Sequence, residues 1–178
     1  MFNLYFDGLF RNLKDVSDAG VMCFGWLLLQ DSHLIAYGYG AVARGRDATS
    51  NIAEYMGLID GLEAMVDMSI GYDPVVVYGD AKSIIHQMLG RSRVSTHRVQ
   101  PMYRKARRLA RQLYVTDWRW IPRQQNKSAD QLSRRALSEI RANPKTFQDA
   151  WRDVLQDHVD HRNSTRELGG MLVYQPLT

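Results

Sequence analysis

The chain has 178 residues, 45% hydrophobic and 24% charged, with a formal net charge of +4; this is enough apolar content to bury a full core in one domain and excludes a disordered or fibrous polypeptide. Its one cysteine, Cys23, lies in the apolar run VMCFGWLLL, which rules out an intrachain disulfide and points to a reducing, cytoplasmic setting for a small buried hydrophobe. No apolar stretch reaches the roughly 18 residues of a membrane span, and MFNLYFDG has no basic leader, so a soluble protein without a membrane partner, most simply a monomer, is expected.

In chain order, Met1 to Phe6 is rich in Phe, Tyr and Leu and reads as a first strand ended by Asp7. Val21 to Gln30 and Leu34 to Val42 are two further apolar runs separated by Asp31, Ser32 and His33, a hairpin pattern. Thr49, Ser50 and Asn51 offer N-cap side chains to a helix whose stripe is Ile52, Tyr55, Ile59, Leu62 and Val66, ending near Gly71. Pro74 leads into Val75 to Tyr78, a β-branched run of the buried-strand type, and residues 81 to 90 form a short helix closed by Gly90.

From residue 81 to 116 there are nine Lys or Arg and no Asp or Glu, leaving 14 basic against 19 acidic residues elsewhere, a net of −5. Such an asymmetry is either a solvated helix face or a footprint for a polyanion. Within it, Val99, Met102, Tyr103, Ala106, Leu109 and Leu113 make the stripe of a second long helix, over about 99 to 113. Val115 to Ile121 alternates Trp118 and Trp120 with Asp117 and Arg119 and reads as a strand stopped by Pro122. Residues 126 to 141 are a helix with Leu132, Ala136, Leu137 and Ile140 inward. The order βββαβα(α)βα specifies an α/β fold, a mixed sheet flanked by helices over residues 1 to 141. Residues 142 to 178 form a carboxy-terminal extension in which Phe147, Trp151, Val154 and Leu155 share a helical face and Met171 to Tyr174 is a short apolar run.

Four acids occupy element ends in this order: Asp7 and Asp80 after strands that neighbour each other through the crossover helix, Glu54 in that helix's first turn and Asp130 in the first turn of the last helix. A lone Asp at a strand end is ordinarily a turn former or cap. Four converging carboxylates raise each other's proton affinity unless a cation compensates, and an all-oxygen set without His or Cys selects Mg²⁺ or Mn²⁺. Two such ions on one phosphate support phosphodiester hydrolysis, and the basic block supplies the polyanion.

The segments YFDG (5 to 8), TSNIAEYMGLIDGLEA (49 to 64), VYGDAKSIIHQM (77 to 88) and IPRQQNKSADQLSRRA (121 to 136) resemble the four acidic motifs of type 1 ribonuclease H, in order and spacing across residues 1 to about 140. The resemblance implies the ribonuclease H fold, a five-stranded mixed sheet of three antiparallel strands and two parallel additions, and two-metal cleavage of the RNA strand of an RNA/DNA hybrid, endonucleolytically. It implies that Asp7, Glu54, Asp80 and Asp130 are the catalytic, metal-binding acids. It further implies that Asn51, Ser50 and Asn12 contact the hybrid's minor groove, where the 2′-hydroxyl distinguishes RNA from DNA. No His lies between His97 and His158, so the loop His of many relatives is replaced by the Arg of R-x-x-N-x-x-A-D. Arg123 and Asn126 are then expected at the substrate, Arg123 either on the scissile phosphate or in an ion pair with the last helix. Arg91, Arg93 and Arg98, with Lys105 and Arg108, read as sequence-independent phosphate contacts. A ribonuclease H-like module that binds hybrid without cutting, and a nuclease of the same fold acting on DNA, are the alternatives; the first is disfavoured by the full set of acids, the second by the AEY and R-x-x-N-x-x-A-D segments.

Overall fold

The computed structural model describes residues 1–13, 20–42 and 49–149. Its elements are β1 (Phe2–Arg11), β2 (Val21–Gln30), β3 (His33–Val42), α1 (Ser50–Asp67), β4 (Val75–Gly79), α2 (Lys82–Met88), α3 (Gln100–Ala110), β5 (Val115–Trp120), a short 3₁₀ turn at Arg123–Gln125 and α4 (Lys127–Ala142). Residues 144–149 are again helical; Trp151, Val154, Leu155 and the run 171–174 lie outside the described residues. No helix among the described residues is long and apolar enough to cross a membrane.

The five strands form one mixed sheet in the order β3-β2-β1-β4-β5. β1 to β3 are an antiparallel meander, and β4 and β5 add in parallel, with Phe6 opposite Gly79 at the upper end of the β1–β4 pair. The β2–β3 hairpin turns on two residues, Asp31 and Ser32, at φ 48° and 72°, left-handed values that match the twist of the flanking strands. β1 is longer than its apolar run suggests. It continues through Gly8 to Arg11 because Leu9 and Phe10 still pair with Cys23 and Met22, so Asp7 lies within the strand, opposite Gly25, and not at its end.

α1 covers one sheet face, where Leu4, Phe6, Trp26, Leu28, Val75 and Val77 meet the apolar side of α1 and the inner side of α3. The other face carries a smaller cluster, Leu9, Val21, Cys23, Tyr39 and Ala41 under Ala136, Leu137 and Ile140 of α4, which Phe147 joins at 2% exposure. The basic block is divided by this packing. Lys105 bridges Glu63 on α1 at 2.6 Å and Arg107 donates to the Met88 carbonyl at 2.9 Å, tying α3 to its neighbours, while Arg91, Arg93 and Arg98 are exposed in the segment between α2 and α3.

Two glycines decide how close the helices come. A Cβ on Gly8 would lie 2.1 Å from the Glu54 backbone nitrogen, and one on Gly25 would lie 2.5 Å from Leu132 Cβ and 2.6 Å from the Ser133 nitrogen. The first turns of α1 and the middle of α4 therefore rest directly on the backbone of β1 and β2, on either side of Asp7.

Candidate metal centre

The parallel pairing of β1 with β4 ends at Phe6 and Gly79, so the residues that follow, Asp7 and Asp80, come side by side, and the close seat of α1 on Gly8 brings in Glu54. One carboxylate oxygen from each of Asp7, Glu54 and Asp80 falls within 4.8 Å of the others. Asp7 is 1% and Glu54 8% exposed. Burial, opposed by a hydrogen bond from Ser133 and reinforced by Asp80 and Asp130, pushes the Asp7 carboxyl up to about 6. Burial, then Asp7 and Asp80, raise Glu54 well above the usual carboxylate range. These are carboxylates held together against their own repulsion.

Their supports come mainly from α4 and its approach. Ser133, fully buried, donates its hydroxyl to Asp7 Oδ2 at 2.5 Å and also lies 2.9 Å from the Asp130 carbonyl. Asn126 precedes α4, and its side chain makes no capping bond. Its amide nitrogen donates to the Phe6 carbonyl at 2.8 Å and to Asp80 Oδ1 at 3.0 Å, so at 1% exposure this residue sits beneath the carboxylates. Trp120, at the end of β5, donates its indole N–H to the Asp80 carbonyl at 3.0 Å, and the Lys82 ammonium stands 5.5 Å over its ring.

Asp130 is placed differently from the other three acids. Arg123 donates to its Oδ1, and Arg134, one turn further along α4, donates Nε to its Oδ2 at 2.5 Å. Burial alone would raise this carboxyl; the two guanidinium bonds outweigh it and hold Asp130 below the usual range. The ion pair between Arg123 and the last helix, one of the two readings of Arg123, is thus the arrangement in the free protein.

Thr49 is the N-cap of α1, accepting from the Ile52 N–H at 3.3 Å, which moves Ser50 and Asn51 from the cap into the first turn, where both are exposed. Asn12 is exposed just beyond β1. Ser133 and Arg134 are the site residues that sequence reasoning passed over. The signal for Ser133 was present, a hydroxyl on the otherwise apolar stripe Ala129, Ala136, Leu137, Ile140. Replacing Ser133 with Ala leaves Asp7 buried without its donor and is expected to destabilise the protein by about 2 kcal/mol at pH 8, the weight of a hydrogen bond to a charged group; urea unfolding of both proteins measures it.

A hard divalent cation fits this donor set. Glu54 Oε2 and Asn126 Oδ1 are both buried without a hydrogen-bond partner, a state that native interiors avoid unless something else meets the oxygens. The donors that converge are all oxygens, as such ions require.

The chain matches the reverse transcriptase-like family model over residues 6–136. A bifunctional protein of Mycobacterium tuberculosis is 34% identical over 114 residues, covering 64% of this chain and 30% of that protein, so the chain spans under a third of that curated relative. The N-terminal RNase H domain of the same mycobacterial protein superposes with a TM-score of 0.67 at 29% identity, covering 78% of this chain and 94% of the domain. RNase H1 from the halophilic archaeon Halobacterium salinarum superposes with a TM-score of 0.67 at 30% identity, covering 78% of this chain and 98% of that structure. The shared fold, the span of the family model and a sheet that brings three acids to one point make this chain a member of the ribonuclease H-like family.

Proposed function

We propose that the protein is a metal-dependent endoribonuclease that hydrolyses the RNA strand of RNA/DNA hybrids. The observation that carries this reading is the convergence of Asp7, Glu54 and Asp80 around an orphaned Glu54 oxygen. The 30% identical archaeal RNase H1 and the mycobacterial RNase H domain support the activity class, and an RNase H1 of the same fold is solved in complex with an RNA/DNA hybrid. Asp7, Glu54, Asp80 and Asp130 are assigned as the catalytic and metal-binding acids. Mg²⁺ or Mn²⁺, two ions with substrate bound, would activate water and stabilise the leaving oxygen. Within the chain, Ser133 orients Asp7 and Asn126 orients Asp80, fixing which oxygens face the phosphate. Asn51, Ser50 and Asn12 are assigned to the minor groove. Arg91, Arg93 and Arg98 are assigned to backbone phosphates, a contribution that falls as salt rises. Arg123 stands for the absent loop His, as in the Arg branch of the family, and Asn126, expected at the substrate, lies instead beneath the carboxylates and acts through its hold on Asp80.

The same reading makes residues 1–141 the catalytic unit and 142–178 an extension. It also takes the protein to be a cytoplasmic monomer; the lone cysteine, Cys23, is buried and free, as a reducing compartment allows.

The test is cleavage of a labelled RNA/DNA hybrid in Mg²⁺ and in Mn²⁺, with single-stranded RNA, double-stranded RNA and duplex DNA alongside. Preferential cutting of the hybrid's RNA strand, lost in Asp80→Asn, is the expected result. Absence of hybrid cleavage in both metals, or preference for duplex DNA, overturns the reading.

A further inference from the structure

In the free protein the fourth acid is already occupied. Asp130 shows 16% of its side chain, and both of its oxygens are taken, Oδ1 by Arg123 and Oδ2 by Arg134. The two arginines are not equivalent. Arg134 reaches Asp130 from the next turn of the same helix, an i,i+4 pair that α4 maintains by itself. Arg123 comes from the 3₁₀ turn ahead of α4, and its charge is felt by Asp7 and Glu54 as well as Asp130. Asp7 and Asp80 act back on it. A guanidinium therefore stands among these acids, bonded to one of the two Asp130 oxygens that a cation could use.

We propose that Arg123 is a removable plug: it holds the place of the second cation until a phosphodiester draws its guanidinium off Asp130, which couples metal binding at Asp130 to the presence of nucleic acid. This rests on the two-cation reading above and adds to it the identity of the group that must leave. Asp130 is supplied with one oxygen fixed by Arg134 throughout, and Oδ1 alone changes partner, from Arg123 to cation. Arg123, 61% exposed, is free to turn outward to a phosphate, which the guanidinium fork meets with two parallel hydrogen bonds. By reciprocity, substrate tightens the cation and the cation tightens substrate by the same factor.

The experiment is calorimetric titration of Mn²⁺ into the full chain without nucleic acid, for wild type, Arg123→Gln and Arg134→Gln. The two variants remove the same charge, but only the first removes the plug. Arg123→Gln is expected to bind Mn²⁺ about fivefold tighter than wild type, the weight of one well-placed ion pair, with Arg134→Gln within about twofold. Adding a hybrid with a 2′-O-methylated, uncleavable RNA strand should tighten Mn²⁺ in wild type and add little in Arg123→Gln. Unchanged Mn²⁺ affinity in Arg123→Gln, or equal tightening in both variants, overturns the proposal. If Arg123→Gln does not fold, Arg123→Met carries the same prediction. Because these titrations involve no cleavage, they separate from the hybrid assay. A tightened Arg123→Gln in a protein that does not cut hybrid keeps the plug and removes the nuclease reading, and the converse result removes only the plug.

Discussion

Asp7→Asn is expected to abolish hybrid cleavage, by on the order of a thousandfold or more, while making the metal-free protein more stable at pH 8. The first effect follows from the metal-binding role proposed above for Asp7, a role whose contribution to charge stabilisation is several kcal/mol. The second follows from the sign of the titration. The Asp7 carboxyl is raised from 3.8 to about 6 in the folded state, so its contribution to stability is fully present below about 4 and is lost as pH rises through about 6. At pH 8 the carboxylate is charged and buried, and the shift corresponds to about 3 kcal/mol at most. Asparagine keeps an oxygen for Ser133 and drops the charge, so the melting temperature should rise by about 4–8 °C if some 2 kcal/mol is recovered. Thermal melts without metal at pH 5 and pH 8 check it: the difference between wild type and variant should shrink at the lower pH, and adding Mg²⁺ at pH 8 should favour the wild type alone. A variant that melts lower than wild type at pH 8 would show that Asp7 is not under electrostatic stress.

Gly8→Ala is expected to be the most damaging single methyl in the described structure. Its Cβ would meet the Glu54 nitrogen at 2.1 Å and the Ala53 carbonyl carbon at 2.2 Å, both backbone atoms in an α1 turn that cannot rotate away as a side chain can. Either α1 lifts from β1 or the strand bends, and both separate Glu54 from Asp7. Overpacking typically costs about 1–3 kcal/mol, and a backbone clash belongs at or above the upper end of that range. The variant should unfold at markedly lower urea concentration and bind Mn²⁺ weakly even where it remains folded. Stability within about 0.5 kcal/mol of wild type would mean that the helix is seated less closely than described.

The order of elements was legible because each carries its own period: alternation and apolar runs in the strands, the Ile52, Tyr55, Ile59, Leu62 stripe in α1, the Ala136, Leu137, Ile140 stripe in α4. The convergence of three acids followed from β1 lying beside β4. What sequence did not show is set by contacts between distant residues. Asp7 reads locally as the end of the first strand, yet β2 supplies ladder partners as far as Arg11 and carries the strand onward. Of the three cap candidates Thr49, Ser50 and Asn51, Thr49 caps α1, a choice that register decides and composition does not. Asn126 reads as a substrate contact in the fourth motif, and only the fold reveals that its amide crosses to Phe6, 120 positions earlier. Ser133 shows the same limit: a hydroxyl in an apolar stripe is visible as an oddity, but its partner Asp7 is 126 positions away.

Those separations have a consequence for how the protein comes into being. A chain leaving the ribosome from its amino terminus can pair β1 with β2 and β3 early, then lay α1 across them and add β4. At that stage Asp7, Glu54 and Asp80 are all synthesised, but the hydroxyl that holds Asp7 and the amide that holds Asp80 belong to residues 133 and 126. The ordered acid cluster therefore waits on residues 126 and 133, made after all three of its carboxylates. A chain cut short before α4 carries three of its acids without the geometry that makes them a site.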